Sequence, residues 1–273
     1  MDLDILRRSP LFATLDDAAF KLLTDDIQEI DLSRNAVLFY EGDQGDQLFA
    51  VLSGKVKLGR TAADGRENMV ALMGPGDVFG EMALFDPSPR STNAVAVSET
   101  RLAAIKHESF KRAQRQDPSI SDQVIKTLAR RLRHSNEALA DLVFSDVPGR
   151  LAKALLDLAD RFGRPATDGI LVAHELTQEE LAQLVGASRE TVNKALAEFV
   201  SRGWIRLEAR AFAATAPALA LSSLTGSQSL RTKPHPIHVL FNDFGCGFRV
   251  LCLCTIVFFS RNGLHAQDLP PVF

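Results

Sequence analysis

The sequence predicts an α+β protein with three consecutive parts: an N-terminal β-roll of the jelly-roll type, a long helix, and a C-terminal winged helix-turn-helix. Short apolar runs separated by Gly- and Asp-rich turns occupy residues 27–105 and predict the β-roll. An apolar seam with helical spacing over residues 119–144 predicts the long helix. Two short capped helices joined by a tight turn, in residues 176–204, predict the helix-turn-helix.

The predicted β-roll contains short strands at intervals of roughly ten residues, a spacing typical of antiparallel sandwiches and barrels. Residues 1–24 precede it with short amphipathic helices. The apolar runs that predict its strands are VLFY at 37–40, LFAVL at 48–52, VKLG at 56–59, MVALM at 69–73, NAVAV at 93–97 and LAAI at 102–105.

Residues 74–96 contain the groups that a sugar phosphate would need. A stretch after an apolar pair can form one helical turn, whose free backbone N–H groups would hold an anion. A cation and a hydroxyl further along would bind the phosphate, and a carboxylate in the turn would accept a hydrogen bond from a ribose hydroxyl. The alternative is a surface Glu–Arg pair beside a turn. The candidate residues are Gly80, Glu81, Met82, Arg90 and Ser91.

The long helix is predicted over Ser119 to about Phe144, with a coiled-coil seam that indicates a homodimer. Ser135 is the polar exception in the seam, and Asn136 follows it. A polar seam residue either sets the register of the two helices or contacts a polar group at the dimer interface, and the spacing leaves both open. The seam residues are Ile125, Leu128, Leu132, Ser135, Leu139 and Leu142.

The C-terminal part begins after a break at residues 146–148. A helix over 149–162, a polar loop over 163–169 and a strand over 170–172 lead into the helix-turn-helix. Thr177 and Glu180 form a capping-box pattern at the start of its first helix. Gly186 predicts the left-handed end of that helix, Ser188 is the N-cap of the second, and Trp204 opens a β-hairpin wing.

The second of these helices has one apolar face and one polar face. Val192, Leu196, Phe199 and Val200 are predicted to face the core, and small Ala182 lies where the two helices would cross. The polar face would meet base edges in a DNA groove, or it would be the solvated face of an ordinary pair of helices. It carries Arg189, Glu190, Asn193 and Lys194.

The overall charge does not by itself indicate nucleic-acid binding. The net charge is −3, and residues 169–210 contain five Lys/Arg against six Asp/Glu, so contacts to phosphate would have to come from locally placed groups. No signal peptide is evident, and all three cysteines lie in the last 30 residues, so a cytoplasmic protein is expected. No nucleophile–base pair, metal cluster or catalytic acid pair indicates an enzyme.

Four motifs in order resemble the CRP/FNR superfamily of cyclic-AMP receptor transcription factors, especially its actinobacterial members. They are FGEMALFDPSPRST, ARRLRHSN, DVPGRLAKALLDLA and LTQEELAQLVGASRETVNKAL, within residues 1–208. The resemblance implies that cyclic AMP is the ligand, with Arg90 and Ser91 on its phosphate, Glu81 on the ribose 2′-hydroxyl, and Gly80 and Met82 completing the cradle. Ser135 and Asn136 would then contact the purine from the same and the neighbouring subunit.

The resemblance also implies that a homodimer binds a TGTGA palindrome. Arg189, Glu190 and Lys194 would read the half-site, while Thr177 and Ser188 would contact phosphates. RNA polymerase is an implied partner, whereas binding to a membrane is not implied. Two residues depart from some members: Lys194 replaces Arg, which relaxes the preference at one base pair, and Asn136 replaces a hydroxyl residue, which weakens the expectation of strict cyclic-AMP selectivity.

These observations divide the chain into a cyclic-nucleotide-binding β-roll (1–118), a dimerisation helix (119–145), a winged helix-turn-helix (146–210) and an atypical, disordered tail (211–273). The preferred interpretation of the tail is a frame shift near residue 210 that damages the wing. A thiol or zinc site and a membrane-associating tail are the alternatives, and no metal site is expected. The candidates for such a site are Cys246, Cys252, Cys254 and His265.

The predicted function is a cyclic-AMP-responsive homodimeric DNA-binding regulator. A regulator of the same fold that needs no ligand is one alternative. A nucleotide-binding regulatory module without DNA function is the other, and the outward-facing polar side chains of the second helix argue against it.

Overall fold

The structure is a computed structural model that describes residues 3–9, 12–13, 15–85, 88–167 and 169–215. These residues belong to one compact unit. The tail from residue 216 onward, with its three cysteines and His265, lies outside the described residues.

The helices are α1 (Leu3–Arg8), α2 (Asp17–Thr24), α3 (Met82–Phe85), α4 (His107–Gln116), α5 (Ser119–Phe144), α6 (Val147–Phe162), α7 (Gln178–Val185) and α8 (Arg189–Ser201). The strands are β1 (Gln28–Leu32), β2 (Val37–Phe39), β3 (Gln47–Ser53), β4 (Val56–Thr61), β5 (Glu67–Met73), β6 (Val78–Phe79), β7 (Asn93–Ala96), β8 (Thr100–Lys106), β9 (Gly163–Ala166), β10 (Gly169–Val172), β11 (Ile205–Glu208) and β12 (Ala211–Thr215).

The N-terminal strands form two antiparallel sheets in the orders β1-β8-β3-β6 and β2-β7-β4-β5. Between them, Phe39 of one sheet packs against Phe49 and Phe79 of the other, with ring centroids 5.9 and 6.3 Å away. Each predicted apolar run forms a strand, and the predicted β-roll is confirmed. Strand β1 and helix α4 were not predicted from the sequence. The side chains of β1 are mostly polar and largely exposed, so this strand lacks a strong apolar signal.

Helix α5 has the predicted bounds, Ser119–Phe144. Its first turns are buried, because Ile120 and Val124 pack with Phe110 of α4 against the β-roll. Leu128 is partly buried against the same cluster. Four other apolar seam residues are more than half exposed: Ile125, Leu132, Leu139 and Leu142.

The helix-turn-helix forms as its local signals predict. Leu181, Ala182 and Leu196 are buried in one apolar cluster with α6 and the wing. Helix α6 begins at Val147, two residues earlier than expected, because the Asp146 side chain caps it by accepting a hydrogen bond from the Gly149 N–H at 2.8 Å. Val200 corrects the prediction for α8: it is 42% exposed and does not face the core.

The wing extends beyond the expected domain end at residue 210. Strand β12 pairs with β11 on one side and β10 on the other, and β9 completes the sheet in the order β11-β12-β10-β9. Phe212, Ala213 and Ala214 of β12 are buried. The expectation of a wing damaged at residue 210 is therefore corrected. The expected loop over residues 163–169 is also corrected, because part of it forms strand β9.

Candidate functional site

The predicted phosphate cradle is a compact group around Gly80, which follows β6 with a φ of +79°. Its carbonyl accepts a hydrogen bond from Nη1 of Arg90 at 3.1 Å, and the carbonyl of Gln47 accepts one from Nη2 at 2.8 Å. A Cβ atom at residue 80 would lie 2.7 Å from Nη1 of Arg90. The left-handed backbone therefore favours glycine, and any side chain at residue 80 would push the guanidinium of Arg90 away from its place.

Arg90 is a buried cation on an aromatic platform. Its guanidinium carbon lies 4.4 Å from the ring centroid of Phe39 and 5.4 Å from that of Phe49, and the residue is only 7% exposed. Burial lowers the pKa of Arg90, although nearby Asp46 and Asp43 oppose this. Its Nε atom is buried and has no hydrogen-bond partner among the described residues. Arg90 is therefore a buried cation with one unused donor among the described residues.

Glu81 is also buried, with 4% exposure. One carboxylate oxygen, Oε1, forms an ion pair with Nη1 of Arg131 on α5, and Nη2 of Arg131 donates to the carbonyl of Val78. The other oxygen, Oε2, is buried without a partner in the described part of the chain. Arg131 was not among the sequence candidates. The position of Arg131 in the sequence could have identified it, since it lies four residues before Ser135 and therefore on the same face of α5.

The remaining cradle candidates are more exposed. Met82 is 60% exposed at the start of α3, and Ser91 is exposed beside Arg90. Ser135 and Asn136 are exposed on α5. The structure thus brings Gly80, Glu81 and Arg90 together, while Met82, Ser91 and the two helix residues face solvent in this chain; their binding roles stay predictions.

The helix-turn-helix has the expected local hydrogen bonds. Thr177 Oγ1 accepts from the Glu180 N–H at 3.1 Å, and Glu180 Oε2 accepts from the Thr177 N–H at 2.9 Å, which completes the capping box. Gly186 ends α7 with a φ of +63°, and the Ser188 side chain caps α8 by accepting from the Thr191 N–H at 3.2 Å. These caps fix where both helices begin.

Helix α8 presents a charged outer face. Arg189, Glu190 and Lys194 are exposed, and Nζ of Lys194 lies 2.8 Å from Oε1 of Glu190. Both side chains of this pair are more than three-quarters exposed, so the pair contributes little stability and its groups are free to exchange partners. Asn193 differs, because it is half-buried and its Oδ1 has no partner within the described residues.

Comparisons with known proteins agree with this architecture. Residues 29–117 match the cyclic nucleotide-binding domain, and residues 149–216 match the Crp-like helix-turn-helix domain. The chain is 51% identical over 207 residues to the CRP-like cAMP-activated global transcriptional regulator of Mycobacterium tuberculosis, covering 76% of this chain and 92% of that protein. The chain belongs to the CRP/FNR family.

Other similar proteins are consistent with the CRP/FNR assignment. The cyclic AMP receptor protein of Thermus thermophilus is 38% identical over 202 residues, which is 74% of this chain and 90% of that one. FixK2 from Bradyrhizobium japonicum has the same fold, with a TM-score of 0.65 at 23% identity over 72% of this chain and 96% of that one. CRP/FNR proteins are transcription regulators and not enzymes, in agreement with the sequence prediction.

None of the described helices combines the length and the apolar composition needed to cross a bilayer. Across the same ranges, no group of three His, Cys, Asp or Glu side chains is arranged to hold a metal ion.

Proposed function

We propose that this CRP/FNR protein is a cyclic-AMP-responsive homodimeric DNA-binding transcriptional regulator. The observation that carries the proposal is the pair of buried atoms in the cradle that lack partners among the described residues: a donor, Nε of Arg90, and an acceptor, Oε2 of Glu81. A cyclic nucleotide offers a phosphate to the donor and a ribose hydroxyl to the acceptor, so one ligand would satisfy both. Two relatives support cyclic AMP as that ligand: the cAMP-activated regulator of Mycobacterium tuberculosis and the cyclic AMP receptor protein of Thermus thermophilus.

In this proposal Arg90 and Ser91 hold the cyclic phosphate and Glu81 holds the ribose 2′-hydroxyl. Gly80 and Met82 begin the turn into α3, whose first backbone N–H groups lack intrahelical acceptors and can face the phosphate. The buried setting strengthens these interactions, because a charge-assisted hydrogen bond competes with less water there.

The purine would lie against α5, where Ser135 and Asn136 contact it from the same and the neighbouring subunit. Support comes from Arg131, one turn earlier on the same helix, whose contact with Glu81 brings this face of α5 beside the cradle. The exposed apolar side chains Leu132 and Leu139, on the same seam, support pairing of α5 with its copy in a homodimer.

Helix α8 is the proposed recognition helix. Arg189 would bond to guanine O6 and N7, Glu190 would accept from cytosine N4, and Lys194 would contribute a single point-charge contact within a TGTGA half-site. Asn193 is a further DNA-binding candidate on this helix. Thr177 and Ser188 stand at the starts of α7 and α8, where helix N-termini favour phosphate oxygens.

The mechanism we propose is a population shift. Nucleotide between the cradle and α5 would favour the dimer in which both recognition helices match successive major grooves, about 34 Å apart. RNA polymerase is the proposed protein partner, as the family resemblance implies. The exposed β9–β10 hairpin, with Arg164 and Thr167 near its tip, is the proposed contact.

The test is fluorescence-anisotropy titration of a TGTGA-N6-TCACA duplex at fixed salt, with and without cyclic AMP. A scrambled duplex of the same composition measures non-specific binding. Specific binding strengthened by cyclic AMP is expected. Specific binding indifferent to the nucleotide would instead indicate a ligand-independent regulator, and nucleotide binding without specific DNA binding would indicate a regulatory module.

A further inference from the structure

The turn between α7 and α8 is bound by a side chain of α6. Arg150 donates from Nε to the carbonyl of Val185 at 2.9 Å and from Nη2 to the carbonyl of Gly186 at 3.3 Å. Val185 is the last residue of α7, and Gly186 ends that helix in the left-handed conformation. The guanidinium therefore binds two carbonyls at a helix end, where the helix itself offers no backbone donor.

The same guanidinium also binds the end of the long helix α5. Nη1 of Arg150 donates to the carbonyl of Ser145 at 2.8 Å, and Ser145 is the C-cap residue of α5. The C-terminus of a helix carries a partial negative charge, so a cation that contacts two such ends stabilises both. The three nitrogen atoms of Arg150 thus join the end of α5 to the turn of the helix-turn-helix.

Two further contacts lie around this junction. A Cβ atom at Gly186 would lie 3.2 Å from Cδ2 of Leu142, in the last turn of α5, so the turn packs directly against that helix. Nζ of Lys153, one turn after Arg150 on α6, lies 2.5 Å from Oδ2 of Asp141 on α5. The pair formed by Lys153 joins α6 to α5, whereas Arg150 joins both of these helices to the turn.

The proposed recognition helix begins directly after this turn. Ser188, whose side chain caps α8, follows Gly186 by two residues, and Arg189 is the first residue of α8. A shift of the turn relative to α5 therefore moves the first turn of α8, where the proposed base contacts lie. Hydrogen bonds tolerate little change in length, so a displacement of about 1 Å is enough to break such a contact.

The link between α5 and the turn has a consequence for the spacing of two half-sites. In the proposed homodimer α5 pairs with its copy, so a turn fixed to α5 lies at a fixed distance from the same turn of the partner subunit. Each base pair added between half-sites moves one of them by about 3.4 Å and rotates it by about 35°. A rigid link therefore favours one spacer length, whereas a loose link accepts its neighbours.

We propose that Arg150 is a positioning residue that sets the half-site spacing accepted by the dimer, because it fixes the turn of the helix-turn-helix to the end of α5. Arg150 acts through the side chains of α8 that meet the bases. This role rests on the proposed function, and it concerns the DNA-bound dimer at a constant level of ligand.

The test measures binding of full-length wild type and Arg150→Gln to TGTGA-N5-TCACA, TGTGA-N6-TCACA and TGTGA-N7-TCACA duplexes, at saturating cyclic AMP and fixed salt. Wild type is expected to bind the six-base-pair spacer about tenfold or more tightly than either neighbour. Arg150→Gln should reduce this preference about fivefold or more, since it loses hydrogen bonds made by a charged group. Circular dichroism should show a folded variant, because water can reach the exposed Gly186 in place of the guanidinium.

Two further variants separate the role of Arg150 from a loss of charge. Lys153→Gln is the matched control, because it removes a cation one turn later on α6 together with its contact to α5. It is expected to keep the wild-type spacer preference, since a half-exposed ion pair contributes little. Arg150→Lys keeps the charge but replaces the fork of donors by a single point, and should lose the preference as Arg150→Gln does.

Several outcomes would overturn the role of Arg150. An equal loss of affinity for all three duplexes would show that it only stabilises the domain. An unchanged preference in Arg150→Gln or Arg150→Lys, an equal loss of preference in Lys153→Gln, or a wild type that accepts the three spacers alike would also contradict it. A wild type that binds none of the palindromes more tightly than a scrambled duplex would instead overturn the proposed function.

Discussion

Nζ of Lys57 on β4 lies 2.8 Å from Oε1 of Glu180 on α7, two residues that are 123 positions apart in the chain. The other oxygen of Glu180 caps α7 through the Thr177 N–H. Burial raises the pKa of Glu180, but hydrogen bonds from Lys57 and Thr177 outweigh it and hold the pKa below its usual value. One ionised carboxylate thus serves both the local helix start and the contact between domains.

Because Glu180 both caps α7 and pairs with Lys57, two different substitutions of it should lower the stability of the protein by different amounts. Glu180→Ala removes the cap and the ion pair and is expected to lower the free energy of unfolding by about 2 kcal/mol. Glu180→Gln retains the cap and is expected to cost about half as much. Urea denaturation of both variants measures these changes, with Glu179→Ala as the control for lost charge. An equal loss of unfolding free energy in the two Glu180 variants would contradict the prediction.

Arg90 is expected to dominate ligand affinity. Arg90→Gln removes the buried cation and should weaken cyclic-AMP binding by about 10- to 100-fold, the range for hydrogen bonds to a charged group. Arg90→Lys keeps the charge but loses the fork of donors, and is expected to recover only part of the affinity. Isothermal titration calorimetry gives both values. Arg60→Gln, on the exposed part of β4, is the control and should bind as wild type.

Arg189 is expected to set base preference. Arg189→Ala should cost about 1–3 kcal/mol on the palindrome and relax specificity at one base pair in each half-site. Competition with duplexes altered at single positions measures the specificity. Arg202→Ala, at the other end of α8 and paired with Glu198, is the control for lost charge. An equal loss of affinity for all duplexes would instead indicate that Arg189 contacts a phosphate.

His174 predicts a pH dependence of stability. Burial, and secondly the charge of Lys55, lower its pKa from 6.5 to about 4, and its Nδ1 accepts a hydrogen bond from the Leu176 N–H at 3.0 Å. Above pH 6.5 both folded and unfolded chains carry the neutral ring. As the pH falls from 6.5 to 4, only the unfolded chain takes up the proton, so about 3 kcal/mol of stability is lost.

The measurement is the free energy of unfolding at several pH values between 7 and 4. His174→Asn retains an acceptor for Leu176 without titrating in this range, so its curve should be flatter than that of wild type by this amount. Parallel curves would show that His174 does not carry the effect.

The wing strand β12 is expected to be essential for the C-terminal domain. Phe212 is 1% exposed and its ring centroid lies 5.8 Å from that of His174. Phe212→Ala should therefore destabilise the protein by about 3–5 kcal/mol. A chain ending at Thr215 should unfold as the full chain does, whereas one ending at Arg210 should lose cooperative unfolding of this domain. Thermal unfolding followed by circular dichroism compares them.

The local features of this protein could be predicted from its sequence. The capping box of Thr177, the left-handed Gly186 and the Ser188 cap depend on residues within four positions of each other, so their spacing predicts the structure. Six strands of the β-roll followed from apolar runs, and α5 followed from its seam, because burial on one face imposes a period on the sequence. Gly80 and Glu81 could be grouped with Arg90 because all three lie in one short motif.

Contacts between residues that are distant in the chain could be identified only from the folded structure. Arg131 and Glu81 are 50 positions apart, and Lys57 and Glu180 are further still, so in sequence each is an ordinary charge that would suit a solvated surface. Strand β12 was missed for the same reason: the Ala-rich segment 211–215 has little strand signal of its own, and it forms because β10 and β11 offer hydrogen-bond partners on both sides. Local spacing specifies helix ends and strands, whereas contacts between domains arise only when the packed surfaces meet.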